Sequence, residues 1–95
     1  KVFNTYTDII DMFFDIMNIG KLNVYPSKAN IIDIHGVQRP ALGISFTDEY
    51  LNEFLKDWQK MRTLYISGTI DEEVYDLWKE KTIAKYNIPI ISELD

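Results

Sequence analysis

No cysteine occurs in the 95 residues, which removes disulfides, thiolate metal sites and cysteine nucleophiles together and fits the habit of a reducing compartment. No apolar run approaches the length that crosses a bilayer, and the opening residues, Lys1-Val2-Phe3-Asn4-Thr5, hold no apolar leader. A soluble, cytoplasmic chain without membrane contact is the expectation. The chain opens on Lys1 rather than methionine, as an excerpt of a longer protein would. Glycine is sparse and scattered, at positions 20, 36, 43 and 68, so no glycine-rich phosphate cradle is present. Bases are outnumbered by acids, 10 to 15, for a net charge of −5. Phosphate backbones repel such a chain, so direct nucleic-acid binding is not expected and a protein partner with a basic surface is favoured.

What remains is a folding composition. Hydrophobic residues make up 46% and aromatics 14%, far from the polar, highly charged signature of disorder. The length sets one domain over residues 1–95, near the size at which self-association supplies part of the stability. Charge is unevenly spread. Residues 21–46 carry three bases and one acid, whereas residues 69–95 carry three bases and seven acids, densest at Asp71, Glu72, Glu73 and Asp76.

The clearest pattern runs from Thr47 to Tyr86. Leu51, Phe54, Trp58, Met61 and Tyr65 recur at steps of three and four, which places them on one face of a helix. Val74, Leu77 and Trp78 form a shorter stripe of the same kind, and Gly68 stands where a left-handed residue would end the first helix. Thr47-Asp48-Glu49 and Asp71-Glu72-Glu73 supply caps and first-turn acids, and Pro89 cannot continue the second helix. Residues 87–95 therefore read as an extended tail whose Ile88, Ile90 and Ile91 add an edge strand or dock in a groove.

Before this hairpin, Thr5 to Ile19 reads as a helix ended by Gly20. Asp8, Asp11, Asp15 and Asn18 make a narrow polar stripe, leaving an apolar arc, with Met12 and Ile16 in it, that exceeds half the circumference. An ordinary surface helix needs roughly a 100° stripe, so this one packs on two sides, within the domain or against another chain. Lys21 to Phe46 reads as three strands: Leu22 to Tyr25, Ile31 to Ile34 and Ala41 to Phe46. Pro26-Ser27 forms a turn and His35 to Pro40 a hairpin loop. Gly43 suggests a bulge or a close backbone approach. Such a sheet is expected to lie against the helices.

Chemistry finds little purchase. Seven of the fifteen acids lie in expected first turns, where the helix dipole accounts for them. His35 is the only histidine, and Ser27, Ser45, Ser67 and Ser92 have no nucleophile motif around them. Asp33 and His35 on one strand face are two ligands and not a metal site. No enzyme, cofactor or metal is expected. Protein contact is, with Asp71, Glu72, Glu73 and Asp76 as an acidic patch and with Tyr75 and Tyr86, off the main apolar stripe, as further contact candidates.

Residues 64–75, Leu64-Tyr65-Ile66-Ser67-Gly68-Thr69-Ile70-Asp71-Glu72-Glu73-Val74-Tyr75, followed by Lys79, resemble the short C-terminal helical domain known as SHOCT. Gly68, Ile70, Asp71, Glu72, Tyr75 and Lys79 match its pattern in register. Val74 stands where the family has Glu or Gln, and Asp71 where it has threonine. The likeness covers residues 58–80 and implies oligomerisation or protein contact. In element order alone the chain is similar to a phage-borne anti-CRISPR inhibitor that mimics DNA with carboxylates. It also shares an order with double-stranded-RNA-binding domains, whose basic loops it lacks. Its isoleucine, asparagine and lysine usage suits an AT-rich bacterial or phage genome.

The expected fold is thus α+β: a helix, a three-stranded antiparallel sheet, then a two-helix hairpin (αβββαα). The expected function is a self-associating protein-interaction module, with an acidic inhibitor of a basic protein surface as the alternative.

Overall fold

The structure, a computed structural model, describes residues 2–90. Its elements are α1 (Tyr6–Met17), a short 3-10 turn (Gly20–Leu22), β1 (Val24–Ile32), β2 (Gln38–Phe46), α2 (Glu49–Ile66) and α3 (Glu72–Lys85). The mixed α+β character stands. The sheet does not: β1 and β2 form a two-stranded antiparallel hairpin, and the order is αββαα.

The expected first and second strands are one strand. β1 runs through Pro26-Ser27 without turning, paired from Val24↔Phe46 to Ile32↔Gln38. The ladder's hydrogen bonding explains how. At the tip the Asp33 N–H donates to the Val37 carbonyl (2.9 Å). Inward and outward bonding alternate along an antiparallel pair, so residues 31, 29, 27 and 25 bond across to β2 while 32, 30, 28, 26 and 24 face the outer edge. Pro26 lacks its N–H at an outward position, where nothing in the hairpin needs it. The register also passes Gly43 unbroken, so no bulge forms there.

The turn is tighter than the expected loop from His35 to Pro40. The Gly36 N–H donates to the Asp33 carbonyl at 3.0 Å and Gly36 takes φ +79°, a type I turn closed by a left-handed residue. Arg39 and Pro40 already lie in β2.

Helix ends follow the sequence more closely. Thr5 and Asp8 form a reciprocal capping box on α1, and the Asp48 and Asp71 side chains each accept from a backbone N–H of their helix at 2.9 Å. α2 ends in a Schellman motif: Thr69 N–H donates to the Leu64 carbonyl, Gly68 N–H to that of Tyr65, and Gly68 has φ +78°. Gly20 does not end α1, which stops at Met17; it opens the 3-10 turn, and the left-handed residue there is Asn23 at φ +46°.

α2 and α3 pack on each other through aromatic rings. Phe54 stacks on Trp58 (5.8 Å) and Trp78 (6.4 Å), and Tyr65 on Tyr75 (4.6 Å). Polar tips are satisfied across the same seam, by Trp58 Nε1 donating to Tyr75 Oη and Trp78 Nε1 to Asp57 Oδ2, both at 2.9 Å. The expectation that this hairpin shelters against the sheet fails. Substantial packing links β1 with β2, α2 with α3 and α1 with the 3-10 turn, whereas the strands and helices scarcely meet. Only Leu22 is buried among the described hydrophobic residues. The radius of gyration is 15.5 Å, against about 12 Å for a compact chain of this length.

Candidate protein-contact surfaces

Four surfaces merit description. On α1, the helical spacing puts Tyr6, Ile9, Ile10, Phe13, Phe14 and Met17 on an arc of roughly 140°. All six are exposed, Tyr6 at 86% and Phe14 at 57%. No charged residue interrupts this arc, because Asp8, Asp11 and Asp15 occupy the opposite side. Asp8 is held there by accepting backbone N–H groups from Asn4 (2.8 Å) and Thr5 (3.0 Å), which keeps its carboxyl below the ordinary range. Met12 and Ile16, expected to be contact residues, are half-buried on the flank of the helix.

The hairpin is uncovered on both faces. Leu42 is 84% exposed and Ile32 71%. Its opposite face has small residues at its centre, Ser27, Ala29, Ala41, Gly43 and Ser45, with Tyr25 at one end and Ile31 and Arg39 at the other, and a hydroxyl hydrogen bond of 2.8 Å between Ser27 and Ser45. Both edges are blunted. By the same alternation Pro40, like Pro26, stands at an outward position, so each strand presents a missing donor to any strand that would add there. The outward carbonyl of Phe46 is taken by Asn52 Nδ2 at 2.8 Å.

The third surface is the start of α3, where Asp71, Glu72, Glu73, Asp76, Leu77 and Glu80 line a shallow depression of about 640 Å³. Two of these acids have structural work. Asp71 caps the helix and Asp76 pairs with Lys79 at 3.1 Å. Tyr75 and Tyr86 do not join this patch. Tyr75 lies in the α2–α3 seam, and Tyr86 donates to Glu53 Oε1 (2.9 Å) with its ring edge against Phe54.

The fourth is an apolar cleft of about 730 Å³ whose walls include Leu22, Tyr50, Leu51, Phe54, Ile83 and Tyr86, with Ile88 and Ile90 of the tail. Residues 87–90 form no strand and contribute a wall of this cleft. Ile91 and the rest of the expected tail lie outside the described residues. Glu53 at the nearby helix seam accepts from both Lys85 Nζ (2.9 Å) and Tyr86, and the lysine contact above all holds its carboxyl below the usual range.

Asp33 and His35 are not a strand pair. They sit in the turn, where Asp33 accepts the backbone N–H groups of His35 (2.9 Å) and Val37 (3.0 Å) and pairs with Arg39 Nε at 2.7 Å. The Arg39 guanidinium is the main cause of its lowered pKa. This carboxylate organises a turn. Among the described residues no three His, Asp or Glu side chains converge in a way that could hold a metal ion, and no helix is long and apolar enough to cross a membrane.

Sequence reasoning missed the blunted strand edges, whose signal is that Pro26 and Pro40 both stand an odd number of residues from the bonded pair Asp33–Val37 at the turn. No family model, curated protein or solved structure matches this chain.

Proposed function

We propose that this chain is a non-enzymatic interaction module that works by assembling with protein, itself included. The observation that carries the reading is the apolar surface left without cover: among the described residues a single hydrophobic residue is buried, and large exposed side chains stand on each of the three α-helices and both strands. Monomers rarely expose contiguous apolar patches of more than a few hundred Å². A two-stranded hairpin without a third strand or a packed helix is also marginal in water. The resemblance of residues 58–80 to SHOCT domains points to the same class of work. Sedimentation equilibrium of the chain at micromolar concentration tests the reading: species heavier than 11.2 kDa are expected, and a folded, strictly monomeric chain contradicts it.

The acidic depression on α3 favours a second reading, inhibition of a basic protein surface by carboxylates. Glu72, Glu73 and Glu80 are its members without a capping or pairing role above, so changing these three to Gln removes charge while sparing the Asp71 cap.

A further inference from the structure

Three aromatic rings meet at the apolar cleft, whose walls come from the 3-10 turn, the start of α2, the end of α3 and residues 88–90. Tyr86 stands 6.4 Å from Tyr50 at 70° and 6.4 Å from Phe54 at 78°, so these rings are adjoining walls and not a stack. The volume of about 730 Å³ lies within the range of sites that hold a small molecule, roughly 300–1,000 Å³. Among the described residues that line the cleft, Asp48 and Glu49 are the charged ones, and both are acids.

We infer that the cleft binds a small amphiphile with an ammonium head, the head held by Tyr50, Asp48 and Glu49 and the apolar chain lying among Leu22, Ile83 and Ile88. Aromatic faces are electron-rich and attract ammonium groups, more strongly where the cation sheds its water. Tyr86 already has such a neighbour: Lys85 Nζ lies 5.1 Å from its ring centroid, with the lysine charge balanced by Glu53. A second cation there gains little, so the head belongs with Tyr50, next in sequence to Glu49. The positive end of the α2 dipole, about half a charge, is outweighed by the two carboxylates. An anionic head would meet like charge in the cleft and on a chain of net −5. Leu22, Leu51, Ile83, Ile88 and Ile90 add more apolar wall than an ammonium alone would cover, which is why the ligand carries a chain. The inference goes beyond the assembly reading, since its ligand is a small molecule and not a protein.

The test titrates the full chain by calorimetry with n-octyltrimethylammonium, below the concentration at which it forms micelles, beside octanol, octyl sulfate and tetramethylammonium. The first is expected to bind with a dissociation constant of roughly 10–100 μM, and each of the others at least about tenfold more weakly. Octanol, octyl sulfate or tetramethylammonium binding as tightly, or no binding by octyltrimethylammonium, overturns the inference.

Two variants at exposed positions separate the head from the chain. Tyr50→Leu keeps an apolar wall and removes the ring, and Glu49→Gln removes a charge; circular dichroism checks that each keeps its helices. Each is expected to weaken octyltrimethylammonium by about 3- to 30-fold and to leave octanol within about twofold. Equal losses for both ligands, or no loss for either, contradict an ammonium site. Ring-proton shifts on adding octyltrimethylammonium are expected at Tyr50, Phe54 and Tyr86; shifts centred on Phe13 and Phe14 instead would place the amphiphile on α1 and overturn the assignment to the cleft.

Discussion

Single carboxylates do much of the local ordering in this chain. Asp8 ties down two backbone N–H groups ahead of α1, Asp33 closes the hairpin turn with Arg39, and Glu53 gathers Lys85 and Tyr86 across the helical hairpin. All three have pKa values held below the ordinary range, Asp8 by backbone donors, Asp33 by Arg39 and Glu53 by Lys85. A group whose folded pKa is depressed contributes stability that is present above its unfolded pKa and is lost as the pH falls through the folded one. The contacts at these residues are therefore expected to weaken below about pH 4. Glu53→Gln removes one of the three titrations. Its helical signal is expected to fall less steeply with acid than that of the wild type, and parallel curves would show that the Glu53 contacts carry no pH dependence. Lys85 is the other half of that pair, its pKa raised first by the bond to Glu53. Its contribution is present below its unfolded pKa and is lost as the pH rises through the raised one.

At the scale of elements, the strands are more specific than their composition suggests. Pro26 and Pro40 are tolerated because each falls at an outward position of the ladder, and there they deny the edge to other strands. Replacing both with threonine restores two outward donors and a β-branched side chain at each site. The double variant is expected to form strand-paired oligomers, seen as growth of the β signal with concentration; an unchanged association state would mean that the prolines do not guard the edges.

The same two residues show what was legible. Periodicity located all three helices, and the stop at Gly68 stands where the residue type placed it, whereas the cap of α2 is Asp48 and not the Thr47 before it. Local chemistry decides such features, so they survive in the sequence alone. Pro26-Ser27 misled because a proline signals a turn unless one knows which way its missing N–H faces, and that depends on the register of the partner strand. Tyr75 and Tyr86 misled for a related reason. Distance from the apolar stripe suggests exposure, but the facing helix reaches beyond the stripe, and both hydroxyls meet partners on α2.

Considered whole, the molecule joins a β-hairpin and an aromatic helical hairpin that hardly touch, with α1 held chiefly to the 3-10 turn. Helical spacing in the second half was legible. The absence of a shared core was not, because a stripe of apolar residues specifies that a face is covered without saying whether the cover comes from the same chain. The α2–α3 seam meets its own need with Phe54, Trp58, Trp78, Tyr65 and Tyr75. Among the described residues α1 and the strands find no such partner. On this account cover comes from assembly, and folding and association are linked by mass action.

The most direct measurement is the thermal midpoint of the wild-type chain at two concentrations a hundredfold apart. If assembled protein unfolds to separate chains, the midpoint rises by roughly 5–10 °C at the higher concentration. Superimposable transitions from a monomeric sample would mean that one copy closes its core alone, and would contradict the account.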